Sequence, residues 1–393
     1  MLRGTVAFLV LVAFAVLGAE LRSVLARRGL REPAMEGISF LAVGFALGGR
    51  GLGLFPEDLL ATMRVVVLFG LAWIGLVFGV QIELRIIRRL APWHRWVGWL
   101  TPTALGIPVA IGGVVAGLSP ALALGLAAVS MAASPSLLEA FVRRRQVHDR
   151  GTVRLLKLVL AFAGLPAVVV FAVAGALASP LATAGGGNVP AWQLVLVTAA
   201  VGALVGYAMV VLVGGVQEHF QLLTLTGGSM CLAAGATAVL GLSALPAAAG
   251  AGAILVNRCV FPNRMLRVAH SLERPILVAL LVLVGASWKG ASFSVEVFVL
   301  LVVVRTLTAL VVGEFLKKVA KRRRASAQTP GLGFGLLPQG ELALGILVGI
   351  VSFFPDTGGV FEAVVAAIIV NNLIGGWWTR RLLAGSVMNE VDA

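Results

Sequence analysis

The sequence predicts an all-α polytopic membrane protein with about thirteen transmembrane helices. Only 12% of its residues are charged and 59% are hydrophobic, whereas average soluble chains are about 25% charged. Apolar runs close to the roughly 20 residues that cross a bilayer recur along the whole chain. These runs are continuously apolar and lack the alternation of membrane β-strands. Composition therefore disfavours both a soluble helical fold and a β-barrel.

Thirteen apolar spans follow one another along the chain. The first begins after Arg3, and a cleaved signal peptide is the alternative reading of this segment. The second is short and rich in glycine, which lets a neighbouring helix approach closely. The predicted spans cover residues 5–21, 34–49, 64–82, 97–117, 121–141, 154–178, 191–214, 220–240, 244–261, 272–288, 294–313, 331–353 and 359–378.

Basic residues crowd every second connection between these spans, and the alternate connections are nearly neutral. This bias predicts an N-terminus outside the cell and a C-terminus in the cytoplasm, in an inner (plasma) membrane of bacterial type. The net charge of +14 is thereby assigned to loops beside the lipid bilayer rather than to nucleic-acid binding. The clusters are Arg22–Arg31, Arg85–Arg95, Arg143–Arg154, Arg258–Arg274, Lys317–Arg324 and Arg380–Arg381.

Motifs for enzyme chemistry are missing from the sequence. It contains two cysteines, Cys231 and Cys259, and no cysteine-histidine cluster, nucleophile elbow or phosphate-binding glycine loop. We therefore expect no enzymatic activity, no metal site and no cofactor. Asn257, Asn371 and Asn372 stand near predicted span ends, where capping or interfacial roles are expected.

Two spans carry a proline in their interior, in the segments SMAASPSLLEAF and GLLPQGELALG. Proline removes a backbone donor and clashes with the preceding helical turn, so Pro135 and Pro338 predict broken helices. Two broken spans at equivalent places in two halves point to the midplane site of a transporter, with spans 4–6 and 11–13 as inverted repeats. The alternative is that each proline only kinks its helix.

These segments, in this order, resemble the monovalent cation:proton antiporter-2 family from about residue 30 to residue 383. The resemblance implies a single exchanger-like transmembrane domain over residues 1–393 that moves by an elevator-like mechanism, in a homodimer. It implies core helices at about 97–178 and 294–378, dimerisation helices at about 5–82 and 220–288, and a linker helix at about 191–214. The segments that carry it are VLFGLAWIGLVFGVQIELRIIRR, SMAASPSLLEAF, GLSALPAAAGAGAILVN, LERPILVALLVLVGASW and LLPQGELALGIL.

The same resemblance implies ion-binding carboxylates in the sixth span, at positions occupied here by Ala163 and Gly164. Neither residue adds charge for a desolvated cation or titrates with protons. Gly164 followed by Pro166 is expected to weaken the helix and expose carbonyl oxygens. Ser134 and Pro135 match the family's break, whereas Ala133 replaces its threonine.

Other charged residues are candidates to replace the missing acids. Glu139 and Glu341 follow the two prolines closely and are candidate proton carriers, because acids at membrane depth are commonly paired or functional. Arg305 matches a basic position of the family, and we expect it to pair with Glu341 or Glu139. Lys157 either reaches the membrane interface or forms a gating salt bridge with Glu139.

The sequence therefore predicts a secondary transporter that exchanges a monovalent cation, Na⁺ or K⁺, for protons. The alternative is a relative of the family that has lost this exchange and acts as a regulator or transports a solute that is not a cation. Which reading holds depends on whether an acid reaches the place where the two broken helices meet.

Overall fold

The computed structural model describes residues 33–49, 52–134, 138, 150–183, 189–214, 218–259, 261–288, 293–322, 331–354 and 359–388. The first predicted span, Pro135 and Glu139 lie outside these residues. Within them the regular structure is helical, and the β-structure is limited to two isolated bridges. The all-α prediction is confirmed.

Each predicted span from the second to the thirteenth coincides with helical structure, and the fifth and twelfth are interrupted as expected. The α-helices are α1 Pro33–Leu47, α2 Glu57–Thr62, α3 Arg64–Val80, α4 Leu84–Arg89, α5 Pro92–Val115, α6 Pro120–Met131, α7 Arg150–Ala178, α8 Pro180–Thr183, α9 Ala191–Val213, α10 His219–Val239, α11 Ala244–Arg258, α12 Pro262–Ser271, α13 Glu273–Ala286, α14 Val295–Val299, α15 Arg305–Arg322, α16 Glu341–Phe353 and α17 Val360–Met388. A π-helical turn, Leu300–Val304, joins α14 to α15, and a 3-10 helix, Leu332–Leu336, precedes α16.

Eight helices in the described part of the chain are long and apolar enough to cross a bilayer. Two further apolar helices, α6 and α16, are too short to do so alone, and these are the two that adjoin the predicted breaks. The chain is a multi-pass membrane protein, and in its described part α6 and α16 are the apolar helices of about half the spanning length.

The fold divides into two compact units. The first unit takes in the described residues of Met1–Arg89, Gly175–Gly290 and Val348–Phe353. The second takes in those of Leu90–Ala174, Ala291–Leu347 and Phe354–Ala393, and it contains both breaks.

Within the first unit, α3 and α11 pack backbone against backbone. A Cβ atom on Gly75 would overlap the carbonyl oxygen of Leu245, and one on Gly79 would overlap that of Ala249. From the other side, a Cβ on Gly252 would stand 2.6 Å from the carbonyl oxygen of Leu76. Small residues permit this close approach, which is how membrane helices gain packing energy in a solvent as apolar as their own side chains.

The side chain of Asn257 forms hydrogen bonds at one end of this helix pair. Asn257 accepts a hydrogen bond from the Leu84 amide at 2.8 Å and donates to the Ile82 and Ala253 carbonyls at 2.8 and 2.7 Å. Its amide therefore satisfies backbone groups left over where α3 gives way to α4. The expected capping role of Asn257 is confirmed.

Substituting Gly79 tests the close helix contact. Gly79→Ala forces the backbones of α3 and α11 apart, and such overpacking costs about 1–3 kcal/mol. We expect a lower thermal unfolding midpoint for the purified protein in detergent. Gly235→Ala in α10 is the matched control, because a Cβ there meets open space and alanine favours a helix by about 0.5–1 kcal/mol. Equal midpoints for the two variants would contradict the packing described.

Candidate functional site

The two broken helices of the second unit meet at their breaks. Ala133 and Gln339 form an antiparallel β-bridge, and the Ser134 amide donates a hydrogen bond of 2.9 Å to the Pro338 carbonyl. We call residues 132–134 and 337–340 the crossing. It joins the end of α6 to the segment between the 3-10 helix and α16, and its side chains at Ser134 and Gln339 are buried.

Local sequence explains why the backbone is extended here. Pro338 has no N–H with which to continue the preceding helical turn, and proline also disfavours helical geometry in the residue before it. The 3-10 helix accordingly ends at Leu336, and α16 starts only at Glu341. On the other side of the crossing, α6 ends at Met131, ahead of Pro135. The break at Pro338 is confirmed, and the fifth span leaves helical geometry at residues 132–134, whereas Pro135 itself lies outside the described residues.

Arg305 holds the ends of the broken helices. Its side chain is completely buried. Nε donates to the Ser130 carbonyl at 3.0 Å, Nη1 to the Leu337 carbonyl at 2.8 Å, and Nη2 to the Leu336 carbonyl at 3.2 Å. One planar guanidinium therefore binds carbonyls from both broken segments, which a single ammonium group cannot span in the same way.

The charge of Arg305 complements the helix ends that it contacts. Carbonyls at a helix C-terminus lack intrahelical partners and carry partial negative charge. Ser130 lies in the last turn of α6, and Leu336 ends the 3-10 helix. This corrects an expectation: in the described residues the guanidinium binds backbone carbonyls, not the predicted Glu341 carboxylate.

Two amide side chains fix the second segment of the crossing. Asn372 Oδ1 accepts from the Gln339 amide at 2.6 Å, and Asn372 Nδ2 donates to the Gln339 carbonyl at 3.0 Å. The Gln339 side chain donates in turn to the Val129 carbonyl near the end of α6 at 2.6 Å. Gln339 therefore ties the extended segment both to α17 and to α6.

A third amide, Asn371, connects this network to the π-helical turn. Its Nδ2 donates to the Leu301 carbonyl at 3.0 Å and to Gln339 Oε1 at 3.2 Å. Turns of this kind often occur at functional sites because their wider backbone frees polar groups.

The network of Gln339, Asn371 and Asn372 was not predicted from the sequence. Asn371 and Asn372 do not cap a span or lie at an interface, because α17 continues past them to Met388 and both are buried. The signal was present in the sequence as two polar residues inside the apolar run AAIIVNNLIGG.

The sixth span turns an apolar surface toward this region. Ala163 is buried in one hydrophobic cluster with Ala133 and Leu337, beside Val159 and Leu160 of the same helix. Gly164 is buried as well. α7 is helical from Arg150 to Ala178, so Pro166 does not interrupt it, and the expected exposure of carbonyl oxygens stays a prediction.

The remaining predicted site residues fall into two groups. Glu341 is half-buried at the start of α16, two residues after Gln339, so it borders the crossing. Lys157 is half-buried on α7. Its predicted partner Glu139 lies outside the described residues, and so does Pro135, so the gating pair remains a prediction.

Substituting Arg305 tests its contribution to the crossing. Hydrogen bonds from a charged group contribute about 1.5–3 kcal/mol each. Arg305→Met removes three, and we expect a large loss of thermal stability in detergent. Arg305→Lys keeps the charge but not the planar fork, so its unfolding midpoint should lie between those of Arg305→Met and the wild type. An Arg305→Met protein as stable as the wild type would contradict the role assigned to this side chain.

Comparison with known proteins supports the architecture. The sequence matches no protein-family model and no curated protein. The fold is similar to a structure of the sodium proton antiporter MjNhaP1 from Methanocaldococcus jannaschii at pH 8, with a TM-score of 0.63 and 16% identity over 96% of this chain and 98% of that one. An electron-microscopy structure of the same antiporter gives a TM-score of 0.59 and 14% identity over 95% and 96% of the two chains. At this identity the similarity concerns the fold, and the chain has a cation:proton antiporter fold.

Proposed function

We propose that the protein is a secondary transporter that exchanges a monovalent cation, Na⁺ or K⁺, for protons across a membrane. The observation that carries this proposal is the crossing, where two half-length apolar helices end in extended backbone inside one compact unit. Interrupted membrane helices provide backbone groups and helix ends for ion binding near the bilayer midplane. The fold shared with a sodium proton antiporter supports the same function.

In this proposal Glu341 carries the proton. It is the carboxylate that borders the crossing among the described residues, since it begins α16 immediately after Gln339 and Gly340. A carboxylate can bind either a proton or a cation, and this competition couples the two fluxes. Glu139, four residues beyond Pro135, is a second candidate for the same task.

The transport cycle that we propose is of the elevator type. The second unit, which contains the crossing, acts as the moving core, and the first unit supplies dimerisation helices and the linker helix. The close glycine packing of α3 on α11 supports a rigid role for the first unit. We propose a homodimer in a bacterial-type inner membrane, with the N-terminus outside.

One observation favours the alternative that exchange has been lost. The fully buried cation Arg305 binds the Leu337 carbonyl of the crossing, and Ala163 contributes only a methyl group to the neighbouring cluster. A site with this charge, and without a working acid, would suit a neutral or anionic solute, or a regulatory role. Such a chain would keep the architecture without the antiport chemistry.

Antiport in proteoliposomes distinguishes the two functions. The vesicles contain a pH-sensitive dye and a preset proton gradient, and Na⁺ or K⁺ is added outside. We expect the cation to dissipate the gradient in wild type and Glu341→Gln to abolish the response, because glutamine cannot carry the proton. Glu139→Gln tests the second candidate in parallel.

Glu314→Gln is the matched control, since Glu314 is an exposed acid of the same unit that pairs with Lys317 at 3.8 Å. It should transport like wild type. Wild-type protein that is folded and inserted but responds to no monovalent cation would refute the antiport proposal and leave the alternative.

A further inference from the structure

Asn371 presents a buried amide oxygen whose orientation is fixed by its neighbours. Its nitrogen faces two oxygen acceptors, the Leu301 carbonyl and Gln339 Oε1. Exchanging the two ends of the amide would set oxygen against oxygen at both places, so the hydrogen-bond network determines which end is which. Oδ1 therefore points away from both acceptors.

This oxygen has no hydrogen-bond donor in the described part of the chain. The Asn371 side chain is completely buried, and its Oδ1 is left unpartnered. A buried acceptor without a donor costs free energy, and native proteins rarely keep one unless water, an ion or a ligand occupies the position. Asn372 provides the contrast, because its Oδ1 is already bonded to the Gln339 amide at 2.6 Å.

The position of this oxygen connects it to the candidate site. Asn371 binds the side chain of Gln339, and the backbone of Gln339 forms the bridge to Ala133 at the crossing. On its other side Asn371 binds the π-helical turn that leads directly into Arg305. A single hydrogen bond, from Asn371 Nδ2 to Gln339 Oε1, therefore links this side chain to the residue whose backbone forms the bridge.

The chemistry of an amide oxygen suits a hard cation. Carbonyl and amide oxygens are ligands for such ions, and they keep the same charge at every physiological pH. Gln339 Oε1 lies at the nitrogen end of the same amide, where it accepts a hydrogen bond at 3.2 Å, so Oδ1 is the oxygen that this side chain offers to an ion. Among the described residues, Glu341 borders the crossing that Arg305 binds, so the region holds an acid as well as the buried guanidinium.

We propose that Asn371 Oδ1 is a ligand of the transported monovalent cation. The inference rests on the proposed function and deepens it by separating two tasks. A neutral oxygen on α17 binds the ion, and the acid at the start of α16 carries the proton. Cation binding then needs no carboxylate at positions 163 and 164.

Cation-dependent stabilisation tests this assignment. Purified protein is titrated with NaCl or KCl against choline chloride at equal ionic strength, and the unfolding midpoint is followed. An ion that binds only the folded state stabilises it by an amount that rises with the logarithm of its concentration relative to Kd. We expect a Na⁺- or K⁺-specific rise in wild type, and at least a tenfold weaker apparent affinity in Asn371→Leu.

The cation-free midpoint separates a structural role from a ligand role. Asn371→Leu also removes two donated hydrogen bonds, which lowers stability in choline chloride alone, whereas loss of a ligand reduces the added effect of Na⁺ or K⁺. Asn371→Gln serves as the second variant in case Asn371→Leu does not fold. It keeps the amide but displaces its oxygen by one methylene, so we expect a changed ratio of Na⁺ to K⁺ affinity. Ser229→Ala, which loses only a hydroxyl bonded within α10, should leave both affinities unchanged.

The outcomes also separate this inference from the proposed function. A cation-specific rise that is unchanged in Asn371→Leu and Asn371→Gln would mean that Oδ1 holds only water, and would overturn the inference. A wild-type protein whose unfolding midpoint shows no cation-specific rise would also overturn the inference. Exchange in vesicles with an unaltered apparent KM in these variants would refute the inference and leave antiport standing. Asn371-dependent binding without exchange would support the inference and refute antiport.

Discussion

The architecture depends on satisfying the backbone of two apolar helices that stop inside the second compact unit. Unpaired carbonyls and amides are costly in hydrocarbon, so irregular backbone survives there only with partners inside the protein. Here Arg305 binds carbonyls from both broken segments, and Asn372 binds the amide and the carbonyl of Gln339. Each partner comes from a separate helix, α15 or α17. The crossing is therefore held by side chains as much as by its own bridge.

This arrangement gives the site an uncommon distribution of charge. A guanidinium and three amides surround the extended backbone, and the described carboxylate that borders it is Glu341. On the side of α7 the surface is apolar, with Ala163 inside the hydrophobic cluster. In such a site the neutral oxygens can bind an ion without titrating, and any coupling to protons falls to an acid outside α7. The proposed function and the role proposed for Asn371 both follow from that separation.

Much of the fold was predictable from the sequence, and the site less so. Continuous apolar runs mark helices directly, because only helices bury their backbone within one segment, and prolines mark where two of them end. The carbonyl partners of Arg305 could not be predicted, because carboxylates such as Glu341 are visible in a sequence, whereas unpaired carbonyls exist only once the helices have been broken and brought together. Asn371 and Asn372 were misplaced because α17 continues beyond the predicted span. Pro166 did not interrupt α7, which shows that one proline does not decide a helix.

The most direct test of this account is a disulfide across the crossing. Ala133→Cys and Gln339→Cys are introduced together after both native cysteines, Cys231 and Cys259, are replaced by serine. Bridged antiparallel residues have Cα atoms about 4.5–5.5 Å apart, within the range of about 4.4–6.8 Å that a disulfide spans. With a membrane-permeant oxidant, mass spectrometry should detect a linked peptide pair within one chain, and single-cysteine variants should give none. Folded protein that never forms this link would contradict the claim that the two broken helices meet.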